Sequence, residues 1–425
     1  MSENLIEQNN TLKERIKEED IRIVRELGKK VAEIAALPIQ EEKRKLWKAL
    51  NGLRPKRPMV MIDQLPWHEM DVDNELKIQC ENSFCRKLEE YFRQRLYLWN
   101  HMPADMVVEP YIEINKVIYG TDFGIKVEEE ILYTDPLNTV VSHKFIDQLK
   151  TEDDLEKIKM PSVYYDKETT MKKLEIAHEL LDGIMDIKLQ GYLPNISCWD
   201  QIASWKGVEN ALYDLIDRPE FIHKIMARLM AAYLSLLNQL EEQGLLGYGQ
   251  TTIHCTGAYT DELPAPGFNP EKPRAKDLWT YGLAQMLATV SPEMHEEFEL
   301  NYCNRWFERF GLVYYGCCDP LDKKMHIVRK IPHLRKVSMS PWVNVERGAE
   351  GIGKDFVFSR KPSPAYLAEP KWEPEVVEKD LIETREICKK YGCPLEFILK
   401  DVSTIRYEPQ RLWEWSKIAA KVSEA

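Results

Sequence analysis

The sequence predicts an α/β protein built as a (β/α)8 barrel, with an N-terminal helical extension and a β-hairpin insertion. Two observations lead to this prediction. Short apolar runs that end in polar residues recur along the chain, as buried parallel strands do. Most of these runs follow a segment of helical periodicity, and strands that alternate with helices are typical of parallel sheets. Eight such units fit within the 425 residues.

The N-terminal extension, residues 1–56, is predicted to be helical. Apolar residues between Ile21 and Ala35 recur near the helical period among many charged residues. A second helix is predicted over Glu41–Leu53, where an Asn-Gly pair favours a helix end. Arg57-Pro58 then interrupts the chain, and the barrel is predicted to occupy residues 57–425.

The eight strands of the barrel are predicted from their apolar runs. They are Met59–Asp63, Asp105–Glu109, Asp186–Tyr192, Gln250–Gly257, Leu312–Cys317, Leu334–Ser340, Asp355–Ser359 and Pro394–Leu399. Helical periodicity precedes most of them, in residues 80–99, 168–182, 219–244, 293–310 and 322–331.

Two segments depart from this alternation. Residues 123–145 are predicted to form the β-hairpin insertion, with Asp135-Pro136 between its strands. Residues 262–274 carry four prolines and no periodicity. Because this loop follows a predicted strand end, it is interpreted as a lid or binding loop.

Composition excludes several classes of protein. Lys and Arg total 58 against 70 Asp and Glu, a net charge of −12, which argues against a general nucleic-acid binder. The charged N-terminus is unlike a signal peptide, and no apolar run reaches the roughly 20 residues that span a bilayer. The expectation is a cytoplasmic protein without a membrane segment. Its nine cysteines, an odd number, are expected to be mostly reduced and buried.

Two thiol-bearing strand ends are the strongest chemical signal. His254-Cys255 and Cys317-Cys318 end consecutive predicted strands, so they should meet at the carboxyl-terminal face of the barrel, where barrel active sites lie. Thiolate and imidazole are the ligands that zinc prefers. Successive strand residues face opposite sides, so both members of a pair reach the site only where the strand gives way to loop. The alternative is that one or both cysteines of each pair simply pack.

Three carboxylates are candidates for acid–base catalysis or for completing a metal shell. Asp63, Glu109 and Glu113 lie at or near predicted strand ends. The alternative for each is a solvated or salt-bridged carboxylate at the rim. Ser359-Arg360-Lys361 is a candidate anion-binding segment, or else an exposed loop.

Candidate substrate-binding residues are aromatic or amide side chains near strand ends. They are Trp67, Gln190, Tyr192, Tyr259 and Trp342. Tryptophans belong to protein cores more often than to ligand pockets. Trp67 and Trp342 follow strand ends, which makes them pocket-wall candidates.

The order of these motifs resembles the uroporphyrinogen decarboxylase superfamily over roughly residues 40–420. The resemblance is carried by RPMVMID, IKLQGYLPNISCWDQIAS, IHCTG, LRKVSMSPWVNVERGAEGIG, FVFSRKPSP and PLEFILKDVSTI. It implies a (β/α)8 barrel. It also implies one of two activities, decarboxylation or zinc-dependent methyl transfer with a corrinoid protein.

Departures from the family pattern favour the methyltransferase branch. Residues 63–69 lack the arginine pair with which the decarboxylases hold their acidic substrate. Cys317 matches the cysteine of the methyltransferases' His-x-Cys zinc motif, but Tyr315 stands in place of its histidine and the later cysteine is missing. His254 and Cys255 would have to replace them.

The resemblance therefore implies a zinc enzyme that moves a methyl group from a small methylated compound, such as a methoxylated aromatic, to cobalamin carried by a partner protein. The chain itself lacks a D-x-H-x-x-G cobalamin signature. A neutral, aromatic-lined pocket is expected. A decarboxylase or lyase, and a non-catalytic ligand-binding barrel, stay as alternatives, and a homodimer is left open.

Overall fold

A computed structural model describes residues 16–133 and 141–425. The helices are α1 Glu18–Ala35, α2 Pro38–Asn51, α3 Ser83–His101, α4 Lys167–Leu181, α5 Cys198–Lys206, α6 Val208–Asp217, α7 Pro219–Glu242, α8 Pro292–His295, α9 Asn301–Phe307, α10 Met325–Val328, α11 Val345–Ile352, α12 Ala365–Ala368, α13 Pro374–Tyr391 and α14 Gln410–Glu424. Short 3-10 turns cover Trp67–Glu69, Glu152–Lys157, Ala275–Asp277 and Gln285–Thr289, and a π-helical turn covers Glu296–Leu300.

The strands are β1 Met59–Ile62, β2 Tyr111–Asn115, β3 Val117–Tyr119, β4 Glu129–Leu132, β5 Ser142–Phe145, β6 Tyr164–Asp166, β7 Asp186–Gln190, β8 Thr252–Ile253, β9 Thr256–Gly257, β10 Trp279–Gly282, β11 Leu312–Tyr315, β12 Leu334–Met339, β13 Val357–Arg360 and β14 Leu395–Leu399. Six of them form a parallel sheet in the order β1-β14-β13-β12-β11-β10. A separate parallel pair joins β2 to β7.

The α/β class is confirmed, and eight parallel strands are present in these two sheets. Their ladders do not close into a barrel among the described residues, because β2 and β7 pair only with each other. The segments that flank the β2–β7 pair contact the larger sheet: the Asp105 amide donates to Val60 O of β1 and the Ile196 amide donates to Tyr281 O of β10, each at 3.0 Å. The division at residue 56 stays a prediction.

The sheet has a helix-covered face and an inner face. On β12, Met339 contacts Gly348 of α11, whereas Lys336 and Ser338 point to the other side, where they bond to residues of the hairpin and of the strand ends. This alternation follows from the two-residue period of a strand. A second apolar core lies between β2–β7 and helices α1, α3 and α4.

The predicted strand at Asp105–Glu109 is wrong, and the strand begins at Tyr111 instead. The donors of the earlier segment are occupied elsewhere. The backbone amide of Met106 donates to Pro103 O, and that of Val108 donates to the Gln40 side chain. Arg57 and the Val60 amide also bind the Asp105 carboxylate, which holds the segment as an anchored loop.

The predicted strand at Gln250–Gly257 is also wrong. The segment is a tight antiparallel hairpin of β8 and β9, because His254 and Cys255 both adopt positive φ, at 42° and 69°. The parallel strand of this unit is β10, which the sequence analysis missed. Its four residues are too short a run to show periodicity.

The β-hairpin insertion is confirmed as an antiparallel pairing of β4 with β5. Its predicted turn at Asp135-Pro136, with Thr139 and Val140, lies outside the described residues. At the N-terminus, α1 and α2 confirm the two helices predicted there, and the part of the first prediction before residue 16 lies outside the described residues as well. No described helix has the length and apolar character needed to cross a bilayer.

Candidate functional site

The carboxyl-terminal ends of β1, β11, β13 and β14 meet at one edge of the sheet, which we call the mouth. The residues that follow these strands are Asp63, Cys317 with Cys318, Lys361, and Lys400 with Asp401. Gly316 turns the chain from β11 into the cysteine pair at φ 92°, a conformation that favours glycine. Cys317, Lys361 and Lys400 are buried, and Cys318 is partly exposed.

The β8–β9 hairpin crosses the inner face of the sheet toward this mouth. Its base is fixed near the start of the strands, where Gly257 O accepts from Lys336 and the Thr256 hydroxyl donates to Glu396 at 2.8 Å. Its turn lies near the other end. The His254 ring stands 4.6 Å from Tyr281 and 5.2 Å from Tyr314, measured between ring centroids. The hairpin therefore carries His254-Cys255 toward Cys317, as the sequence predicted.

Cys317 is held by several polar groups. Lys400 Nζ lies 3.1 Å from its sulfur, and the Cys318 sulfur lies 3.7 Å away. A hydrogen bond from Cys318, together with His254 and Lys361, lowers the pKa of the Cys317 thiol well below its usual range. These surroundings favour the thiolate form of Cys317.

The other two mouth cysteines are unlike Cys317. Burial, and then the charge of Asp63, raise the pKa of Cys255 to about 12. The pKa of Cys318 is also raised, because its proton is shared with Cys317 and its sulfur lies 3.4 Å from an Asp401 carboxylate oxygen. Burial lowers the pKa of His254, whose Nε2 atom is buried without a hydrogen-bond partner in the described chain.

Two lysines lie at the mouth beside the carboxylates Asp63 and Asp401, and Lys400 pairs with Asp401 at 3.2 Å. Lys361 Nζ donates to the hydroxyls of Tyr314, at 2.7 Å, and Ser338. Burial, with the neighbouring Lys400 charge, lowers the pKa of Lys361, although the Cys317 thiolate opposes this. Both lysines stand at predicted strand ends. Lys361 belongs to the segment predicted to bind an anion, and it is buried, unlike the exposed loop of the alternative.

The four predicted zinc ligands do not form a complete metal shell in this arrangement. Within residues 16–133 and 141–425, one group brings three or more His, Cys, Asp or Glu ligand atoms within 4.8 Å of one another. That group is not at the mouth. Cys317 and Cys318 are close enough to share an ion. However, Lys400 and Asp401 occupy positions beside their sulfurs. Zinc at the mouth stays a prediction.

Of the predicted acids, only Asp63 lies at the mouth. Glu109 precedes β2 instead of following a strand. It pairs with Arg44 at 3.1 Å and accepts a hydrogen bond from Tyr259, so two predicted site residues lie together at the opposite end of the strands. Glu113 is in the middle of β2 and accepts from Gln190 at 3.1 Å.

The predicted substrate-binding residues are dispersed. Gln190 helps to line a cavity of about 400 Å³ beside the β2–β7 pair, and Tyr259 lines another of about 300 Å³. Tyr192 packs against the main core, and Trp67 packs edge-on against Tyr97. Trp342 follows β12 and is 71% exposed. These roles stay predictions.

Comparisons with known proteins give little further identification. No family model matches the sequence, and no curated protein matches it significantly. Among solved structures, a methyltransferase from Methanosarcina mazei matches with a TM-score of 0.48 and 12% identity, over 90% of this chain and 97% of that chain. A likeness at this level assigns neither a reaction nor a cofactor to this chain.

Proposed function

We propose that this protein is a methyltransferase that moves a methyl group from a small methylated compound to the cobalt of a separate corrinoid protein. The reaction is the one implied by the sequence motifs. The observation that supports it is the position of the Cys317 sulfur, 3.1 Å from Lys400 Nζ where the strands end, with Lys361 and His254 also favouring its thiolate form. Membership of the uroporphyrinogen decarboxylase superfamily is part of the same proposal.

The chain's own residues would act on the leaving group. When a methyl group departs from an ether or thioether, the remaining oxygen or sulfur keeps the bonding electron pair and becomes anionic. Lys361 and Lys400 would stabilise that charge, because fixed cations in a water-poor site are already oriented before the reaction. Tyr281 and Tyr314 would form part of the wall that excludes water. The cobalt of the bound corrinoid would supply the electron pair for the new bond to the methyl carbon.

A second candidate function is favoured by the same lysines. Two buried cations are also suited to a carboxylate substrate, as a decarboxylase or lyase would need. Residues 63–69 still lack the arginine pair that would hold a polycarboxylate such as uroporphyrinogen. Burying several carboxylates against only two lysines costs several kcal/mol.

The test is transfer to a corrinoid protein in the cob(I) state, followed by the change in its absorption spectrum. With a panel of methyl ethers, amines and thiols, at least one donor should methylate the corrinoid only when this protein is present. Lys361→Met should slow transfer by about 10²-fold, the usual cost of one transition-state charge partner. Lys323→Met, an exposed lysine, is the matched control and should leave the rate unchanged.

Two results would decide against this function. Failure of the whole panel with correctly folded protein would contradict methyl transfer. Turnover of uroporphyrinogen would instead support the decarboxylase. Elemental analysis of the same preparations addresses the zinc prediction, because Cys317→Ser should lower the zinc content if the mouth holds the ion.

A further inference from the structure

A second group of potential ligands lies away from the mouth and is fully buried. Cys198, Glu299 and Cys303 each have 0% exposure, and their sulfur and carboxylate oxygen atoms all lie within 4.8 Å of one another. Both cysteines are free thiols. We call these three residues the buried cluster. It is independent of the proposed function.

The fold brings these residues together through two neighbouring helical segments. Cys198 is the first residue of α5. Glu299 lies in the π-helical turn Glu296–Leu300, and Cys303 follows one turn later in α9. Residues four positions apart share one face of a helix. A π-turn inside an α-helix is rare and is found frequently at functional sites.

Glu299 is the unusual member of the cluster. Both of its carboxylate oxygens are buried, and neither has a hydrogen-bond partner in the described chain. Other fully buried glutamates have partners: Glu89 accepts from two backbone amides and from Arg93, and one oxygen of Glu396 pairs with Lys336 while its Oε1 has no partner in the described chain. An unpaired buried carboxylate is costly, and burial raises the pKa of Glu299 to about 8, although the Cys303 thiol opposes this. A bound cation would instead hold the carboxyl ionised and give its oxygens a partner.

The spacing of the two sulfurs suits a metal ion. They lie 3.8 Å apart. Two sulfurs bound to a tetrahedral zinc at about 2.3 Å are separated by roughly the same distance. Two thiols in contact would also show this spacing, so the distance between the sulfurs does not by itself distinguish a metal site from a thiol–thiol contact. Combined with two unpaired carboxylate oxygens, they offer four donor atoms.

We propose that Cys198, Glu299 and Cys303 bind a zinc-type divalent ion at a closed, structural site. Two thiolates with a carboxylate favour zinc over magnesium or calcium, which prefer oxygen ligands alone. The cluster is fully buried, so the ion enters while the chain folds and exchanges slowly afterwards. The bound ion would join α5 to α9, the helix that precedes β11, behind the mouth.

The test uses the Cys317→Ser/Cys318→Ser double variant, which lacks the two neighbouring thiols that could hold a metal at the mouth. Expressed with added zinc, this variant should retain about one equivalent of zinc after dialysis against a chelator. X-ray absorption at the zinc edge should show two sulfurs near 2.3 Å with oxygen neighbours and no imidazole. Adding Glu299→Gln, which keeps the side-chain size, should lower the zinc content sharply.

Matched controls separate loss of the site from loss of the fold. Cys393→Ser alters a buried cysteine that contacts Ala349 O and should leave the zinc content unchanged. Circular dichroism establishes that each variant is folded. The proposal is overturned if the double variant is folded but free of zinc, or if peptide mapping finds a Cys198–Cys303 disulfide. A metal with imidazole or with more than two sulfurs would overturn it too.

Discussion

Cys317 and Cys255 are the same side chain in two different electrostatic surroundings. Cys317 has a lysine nitrogen at 3.1 Å and the Cys318 thiol at 3.7 Å, which favour its thiolate form, whereas the half-buried Cys255 faces the Asp63 carboxylate. A thiolate is the reactive form of cysteine, so the two residues should differ in reactivity. The identity of a residue in the sequence does not reveal this difference. The neighbours that produce it come from separate strands.

The contribution of Lys400 to this thiolate can be measured. In metal-free protein, Lys400→Met should raise the pH at which Cys317 reacts half-maximally with a small thiol reagent. The expected increase is about one to three pH units, since an adjacent opposite charge shifts a pKa by that much. Mass spectrometry of the modified peptide reports the reaction. Lys400→Arg keeps the charge and should behave nearly as the wild type, and equal profiles for all three proteins would contradict the assignment.

His295 gives a prediction for stability against pH. Its Nδ1 accepts from Lys324 at 3.2 Å, so Nε2 carries the proton toward the Tyr315 hydroxyl at 2.7 Å. Burial, and then the Lys324 charge, lower the pKa of His295 to about 3. Between about pH 6.5 and pH 3, His295 therefore binds a proton in the unfolded chain but not in the folded protein. The contribution of the neutral His295 ring to stability is complete above this window and is lost as the pH falls through it.

In that window the free energy of unfolding should fall by about 1.4 kcal/mol per pH unit because of His295 alone. His295→Gln should remove this part of the slope in urea titrations made at several pH values. His326→Gln, an exposed histidine, is the control and should keep the wild-type slope. A His295→Gln slope equal to that of the wild type would show that the ring titrates normally.

At the scale of elements, the β8–β9 hairpin depends on a close approach at its base. A Cβ atom on Gly257 would lie 2.5 Å from the Trp47 ring of α2. Gly257→Ala should therefore lower the free energy of unfolding by about 1–3 kcal/mol, the usual cost of overpacking. The same substitution in a Trp47→Leu background should cost clearly less, because the ring is gone. Denaturant titrations of the four proteins measure this coupling, and strictly additive effects would argue against the contact.

The hairpin also marks where sequence interpretation failed. The runs of β1 and β11 predicted their strands because buried parallel strands are continuously apolar, and β12 and β14 were recognised although each contains charged residues. The run at Gln250–Gly257 is rich in β-branched residues and was interpreted as one more strand, but its turn depends on positive φ at two non-glycine residues. Such a conformation is imposed by tertiary contacts and leaves no signal in residue type.

For the whole molecule, a buried ion pair joins β12, β14 and the hairpin. Lys336 and Glu396 are both fully buried, with 2.8 Å between nitrogen and oxygen. Lys336→Met should destabilise the protein by about 3–5 kcal/mol, because an uncompensated carboxylate stays buried. Lys336→Met with Glu396→Met should recover most of that loss in thermal unfolding. If the double variant is as unstable as the single one, the loss of the ion pair with Glu396 is not the reason that Lys336→Met destabilises the protein.

The candidate site was predicted to the extent that it depends on strand order. Parallel strands end at one edge, so the positions of Cys317 and Lys361 near that edge followed from the predicted strands. Glu109 lies away from it because its strand begins a few residues later than predicted, and its role stays a prediction. The buried cluster could not be foreseen, since Cys198 and Glu299 meet through a π-turn and a helix start that lie 101 residues apart by their numbers.

The anchoring of the hairpin has a consequence for how the protein is made. Its base is secured by Glu396, which lies 140 positions after Thr256. During synthesis the hairpin is therefore made well before the strand that carries its partner. The base of the hairpin gains this hydrogen bond only once β14 has been synthesised. Nascent or truncated chains that end before β14 would carry every mouth residue up to Lys361 and still lack the assembled site.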